Sequence, residues 1–137
     1  MTRPARVSEE IVARLRSVCL GLPEAYQESA WVGTRWRVRK RTFAHVLTVE
    51  SGSPASYAQA VGSQGPVTVL TFRLPPAELD ALSGLGYPYF RVRWGREVGG
   101  MALDTDVDWA EVAELLTESY CLMAPAKLAD QVDRPSG

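Results

Sequence analysis

The chain has 137 residues, 46% of them hydrophobic and 23% charged, enough to build one globular domain (1–137) with its own core rather than a disordered coil. A net charge of −1 and a pI near 5.8 exclude an indiscriminate polyanion binder. No apolar run is long enough to span a bilayer, and the polar stretch Met1 to Glu10 has no signal-like apolar region. The expectation is therefore a cytoplasmic protein with no membrane partner.

In chain order, Ser8 to Leu22 reads as an amphipathic helix. Ile11, Leu15, Val18 and Leu22 share one face, Ser8 is the N-cap, and Glu9 and Glu10 suit the positive helix end. Gly21 and Pro23 close it. Glu28 to Val32 reads as a short strand, broken by Gly33 from an alternating strand that starts at Thr34. A turn around Lys40–Thr42 leads to the strand Thr42 to Glu50. A Gly/Ser/Pro/Ala-rich connection, 51–66, follows, with one or two helical turns at Ala55 to Val61. Val67 to Leu74 is a strand, and Pro75-Pro76 opens a short helix through Leu82. Tyr89 to Trp94 alternates like a strand, Gly95 to Gly100 reads as a turn, and Met101 to Asp104 as a last strand. Asp108-Trp109-Ala110-Glu111 has capping-box spacing and starts a long helix carrying Val112, Leu116 and Tyr120 on one face. Pro125 interrupts it, and Ala126 to Val132 adds a turn or more. The expected core spans 8–132, with flexible tails at 1–7 and 133–137.

Five to six alternating strands imply an antiparallel sheet, and the helices pack on it to give a two-layer α+β domain. Cys19 and Cys121 lie in apolar, helix-like segments near opposite ends of the chain; a disulfide between them is geometrically possible, but buried free thiols are the expected reading in a chain without an export signal.

Charge is unevenly spread. Residues 1–31 hold four basic and four acidic side chains. Residues 32–96 hold nine basic and three acidic, net +6, and residues 97–137 hold two basic and nine acidic, net −7. The basic excess centres on Thr34 to Arg41. Strand alternation places Arg35, Arg37 and Arg39 on one face and Trp36 and Val38 on the other, with Lys40 and Arg41 extending the basic end. Arg91, Arg93 and Arg96 extend the surface if their strand joins the same sheet. Guanidinium forks match phosphate oxygens, so these eight side chains are the candidate nucleic-acid contacts. The competing reading is an ordinary polar sheet face that resists edge aggregation.

No catalytic or metal-binding constellation accompanies them. His45 is the one histidine and reads as a structural, hydrogen-bonded side chain. Zinc-ligand spacing is absent. Asp104-Thr105-Asp106-Val107-Asp108 starts like a calcium loop but has Trp109 at the position of the turn glycine and Leu115 at that of the bidentate glutamate. The expectation is a non-enzyme with no cofactor and no metal.

Several segments in order resemble the MmcQ/YjbR family: Cys19-Leu-Gly-Leu-Pro23, Glu28, Arg37-Val-Arg-Lys-Arg-Thr-Phe-Ala44, Leu70-Thr-Phe-Arg-Leu-Pro-Pro76, Pro88 to Trp94, and Asp108-Trp109 leading to Ser119-Tyr120. They span roughly residues 9 to 130. The 51–66 connection is longer than the family pattern, and Arg73 stands where lysine is expected. The resemblance implies an antiparallel sheet packed on helices, similar to secretion-chaperone-like folds, and a family described as DNA-binding through a double wing of hairpins. Fold likeness alone does not establish function. DNA is thus the first expected partner, through five phosphate contacts and a log–log salt slope of about −4.5. The alternative is a protein- or peptide-binding, chaperone-like or regulatory domain, acting with another protein or a second copy of itself.

Overall fold

Ser8 Oγ accepts a hydrogen bond from the Ile11 N–H at 3.2 Å and starts α1 (Glu9–Cys19). The helix buries Leu15 and Cys19 fully. The chain continues through β1 (Tyr26–Ser29), β2 (Thr34–Val38), β3 (Arg41–Val49), α2 (Ala55–Val61), β4 (Val67–Arg73) and α3 (Pro76–Ser83). It ends with β5 (Tyr89–Arg91), β6 (Val98–Ala102), α4 (Trp109–Met123) and α5 (Ala126–Ala129). This is a computed structural model that describes residues 6–92, 94, 95, 97–103 and 106–132. Most of the two expected tails therefore lies outside the described residues.

The strands form one antiparallel sheet in the order β1-β2-β3-β4-β6-β5, so the expected α+β class holds. Helices α1, α3, α4 and α5 cover one face. There Leu15, Leu79, Leu116 and Leu128 pack on Trp36, Val38, Phe43, Leu70 and Phe72. Side chains of this size bury about 1.5–3 kcal/mol each of transfer free energy, which makes this the main core. Asp108 caps α4 by accepting from the Ala110 and Glu111 N–H groups through Oδ1 at 3.1 and 3.2 Å.

The second face is not wholly open. Helix α2 lies over it, and Ala58 and Val61 join Leu47, Val49, Val69, Phe90 and Val92 in a second cluster. Helix α2 itself falls where the sequence places it, inside the long connection.

The last strand starts three residues earlier than expected. Gly99 and Gly100 lie inside β6 rather than in a turn. A Cβ on Gly99 would sit 2.4 Å from Leu79 Cδ2, and one on Gly100 would sit 2.4 Å from the Phe90 ring. The glycine pair lets α3 press on one side of the strand and Phe90 on the other.

The β2–β3 turn also differs. Arg39 and Lys40 form a two-residue hairpin loop between paired Val38 and Arg41, with φ of 49° and 65°. Two consecutive positive φ values are the type I′ pattern, which Asn-Gly satisfies at least cost. Lys40→Gly is accordingly expected to raise the unfolding free energy by up to about 1 kcal/mol, measured by urea denaturation. Lower or unchanged stability would show that the lysine makes contacts that outweigh its backbone cost.

Candidate nucleic-acid interface

Alternation in β2 is as expected: Trp36 and Val38 are fully buried, whereas Arg35 and Arg37 are half-buried on the opposite face. Arg39 does not continue their row, because it has left the strand and entered the hairpin loop.

Register explains what these arginines touch. Strand β1 pairs with β2 so that Glu28 faces Arg35 and Tyr26 faces Arg37. Glu28 Oε1 binds both guanidinium groups, Arg35 through Nη2 and Arg37 through Nη1 at 3.1 Å. Arg37 Nη2 also donates to the Lys40 carbonyl, tying the strand to its turn. Arg39 forks onto Glu24, Nε to Oε1 at 2.8 Å and Nη2 to Oε2 at 3.2 Å. The Arg39 guanidinium holds the Glu24 carboxyl below the usual carboxylate range, and Arg35, then Arg37, do the same for Glu28. Three of the predicted contacts are thus already paired.

Lys40 and Arg41 differ. Both are exposed, and neither has an acidic partner among the described residues. The charge of Lys127, on α5, also helps to lower the Glu24 carboxyl, after the larger effect of Arg39. Sequence reading passes over Lys127, which sits in the acidic third of the chain with no local signal. The hairpin tip then holds Arg39, Lys40 and Arg41, with Glu24 paired to Arg39, while Arg35 and Arg37 lie back along β2 with Glu28.

Arg91 is elsewhere. Its strand, β5, is the opposite edge of the sheet, four strand steps from β2, or about 19 Å. Arg91 pairs with Asp80 of α3, on the helix-covered side. Arg93 and Arg96 lie outside the described residues. The sheet therefore does not join Arg91 to the β2 arginines in one surface.

His45 of β3 pairs with Arg35 of β2 and faces Tyr57 on the α2 side of the sheet. Phe43 lies on the other side because the β2–β3 register shifts beside Trp36. His45 Nε2 donates to the Val32 carbonyl at 2.6 Å, which leaves Nδ1 to accept from Tyr57 Oη at 3.4 Å. Tyr57 stacks edge-on against Trp94 with ring centroids 4.9 Å apart. Burial, reinforced by the Arg35 charge, pushes the imidazole below its ordinary 6.5. The neutral ring is the one the fold holds, so stability is full above pH 6.5 and declines as pH falls toward the lower folded value. A falling Tm below pH 6.5, removed in His45→Gln, is the expected result of a thermal series. An unchanged slope in that variant would assign the loss to other groups.

Trp94 is half-exposed, whereas Trp36 is buried. Both cysteines are free, and burial pushes the Cys19 thiol up, leaving it unreactive. Among the described residues no group of three His, Cys, Asp or Glu side chains is placed to hold a metal. No described helix is long and apolar enough to cross a membrane.

The residues behind the family resemblance meet in the core rather than at a ligand site. Ser119 Oγ of α4 donates to the Phe43 carbonyl at 2.5 Å and accepts from the Arg73 N–H at 2.7 Å. Tyr120 Oη donates to the Pro23 carbonyl at 2.6 Å, and its ring meets Phe43 edge-on at 5.4 Å. These contacts fasten α4 to β3, β4 and the segment that joins α1 to β1.

Comparison with known proteins agrees with the fold. A solved protein from Pseudomonas syringae is similar in fold, with a TM-score of 0.62 at 13% identity over 90% of this chain and 99% of its own. Deinococcus radiodurans protein DR2400, with the domain DUF419, gives a TM-score of 0.59 at 19% identity over 90% of this chain and 88% of its own. No curated protein matches the sequence. The YjbR family pattern matches residues 20–122, and the chain belongs to the YjbR family.

Proposed function

We propose that this protein binds DNA without catalysis, through the tip of the β2–β3 hairpin rather than through the arginine row of β2. The observation that carries this reading is the conformation of the tip. Arg39 and Lys40 both occupy left-handed backbone that glycine or asparagine would adopt more cheaply, and Arg41 follows them. Backbone strain kept in side chains of one charge points to use of that charge. Lys40 and Arg41 project as point and fork donors, and Arg39 can exchange Glu24 for a phosphate oxygen. Arg35 and Arg37, held by one carboxylate, serve the sheet and add only background potential.

Three phosphate contacts at the tip give a log–log salt slope of about −2.7 for duplex DNA. Such contacts position a duplex without reading its sequence. Binding that is insensitive to salt, or absent at low salt, would remove DNA from the account.

A second reading, a protein-binding domain, is favoured by Trp31, which is 95% exposed between β1 and β2. Exposed tryptophans commonly anchor interfaces. Concentration-dependent self-association that Trp31→Ala abolishes would support this reading over the first.

A further inference from the structure

On the helical side of the sheet, far in sequence from the basic hairpin, α3 and α4 leave a groove of about 540 Å³ between them. Its floor is apolar, with Leu82 and Leu115 half-buried and Leu85 72% exposed above the buried Leu74. Its rim is acidic, formed by Glu78 of α3 and by Glu111, Glu114 and Glu118 of α4. No basic side chain among the described residues lines it.

The two walls repeat one pattern. Residues 111, 114, 115 and 118 follow i, i+3, i+4, i+7 spacing along one stripe of α4; residues 78, 81 and 82 form the matching stripe of α3, and Leu85 follows in the turn just past its end. Each stripe sets a leucine at i+4 behind a glutamate at i. Glu111 is held in place by the Tyr89 hydroxyl, whose own pKa that contact pushes up to about 12. Two ridges of carboxylates flanking a strip of leucine match a third helix with a leucine stripe and lysine or arginine on both sides.

We propose that this groove docks a basic amphipathic helix of a partner protein. The described helices of this chain do not supply such a segment. Helix α1 mixes Arg14 and Arg16 with Glu9 and Glu10 and has its apolar face committed to the core, and α4 is itself acidic. Charge complementarity therefore points to a different protein rather than a second copy. The site is separate from the hairpin tip and holds whether or not DNA is bound there.

The test uses a fluorescent synthetic peptide of leucine and lysine at helical spacing, titrated with the full chain by anisotropy. Two controls are the same peptide with glutamate for lysine and a scrambled peptide of identical composition. The leucine–lysine helix is expected to bind at least about tenfold more tightly than either control. Leu85→Asp and the double variant Glu78→Lys/Glu114→Lys should each weaken it by about tenfold or more. All three positions are exposed, so an unchanged circular dichroism spectrum is expected in both variants. Equal binding of the scrambled peptide would reduce the effect to non-specific attraction and overturn the proposal. So would native-like affinity in Leu85→Asp. Sedimentation showing a dimer that Leu85→Asp dissociates would assign the groove to a second copy and overturn it as well.

Discussion

Trp36→Ala is expected to lower the unfolding free energy by about 3–5 kcal/mol, the range for removing a large aromatic from a core. Trp36 is fully buried, and its ring packs in the main core beneath α1 and α4. Its indole N–H also donates to Gln27 Oε1 at 3.1 Å, and the same oxygen accepts from Arg16 Nε at 3.0 Å. One side chain thus joins the core to strand β1 and to helix α1. Trp36→Phe keeps most of the ring and loses the donor, so a smaller cost of about 1–2 kcal/mol is expected. Urea denaturation of both variants checks this. Equal losses would mean that the hydrogen bond, not the ring volume, dominates.

Ser119→Ala is expected to cost about 2–3 kcal/mol although it removes a single oxygen atom. That hydroxyl is fully buried and satisfies two backbone groups, the Phe43 carbonyl and the Arg73 N–H. Alanine leaves both without a partner, and each unsatisfied buried group carries a desolvation penalty of about 1–3 kcal/mol. Denaturation should show a lower midpoint at an unchanged slope, because the exposed surface is the same in both chains. A loss below about 0.5 kcal/mol would mean that water or a shifted backbone satisfies the two groups.

These two positions explain why the family pattern is visible in the chain while the job is not. Ser119-Tyr120, Phe43 and Pro23 hold α4 against the sheet, and such packing constrains residue identity without reference to any ligand. Burial pattern was readable for the same reason. The alternation of Trp36 and Val38 with Arg35 and Arg37 is a direct consequence of two-residue strand periodicity.

What escaped a reading of one chain depends on register and on backbone shape. Nothing local in the sequence says that Glu28 pairs opposite Arg35, or that Glu24 meets Arg39. Those pairings turn an apparent row of free cations into a mostly neutralised face. Arg39-Lys40 carries no turn signal, since neither residue prefers positive φ. Gly99-Gly100 carries a false one, because close approach by Leu79 and Phe90 demands glycine inside a strand. The register shift near Trp36 moves Phe43 to the opposite face from His45, which strict alternation would have kept together.

For the proposed DNA binding, these pairings leave a smaller and differently placed set of basic side chains. Arg35 and Arg37 are structural ion-pair partners of Glu28, Arg91 belongs to the opposite sheet edge, and the exposed charge is concentrated in Arg39, Lys40 and Arg41. We infer that Lys127 adds to the field at that end of the sheet. The acidic groove between α3 and α4 lies on the helical layer, so one molecule presents two surfaces of opposite charge.

The claim that the hairpin tip carries polyanion binding is tested most directly by titrating three chains with duplex DNA over a salt series: the native protein, Lys40→Ala/Arg41→Ala, and Arg35→Ala/Arg37→Ala. The account predicts that the tip variant loses two phosphate contacts, so that its log–log slope shallows by about 1.8. The strand variant should keep a slope near the native one. A strand variant that loses binding while the tip variant keeps it would contradict the account and return the function to the arginine row.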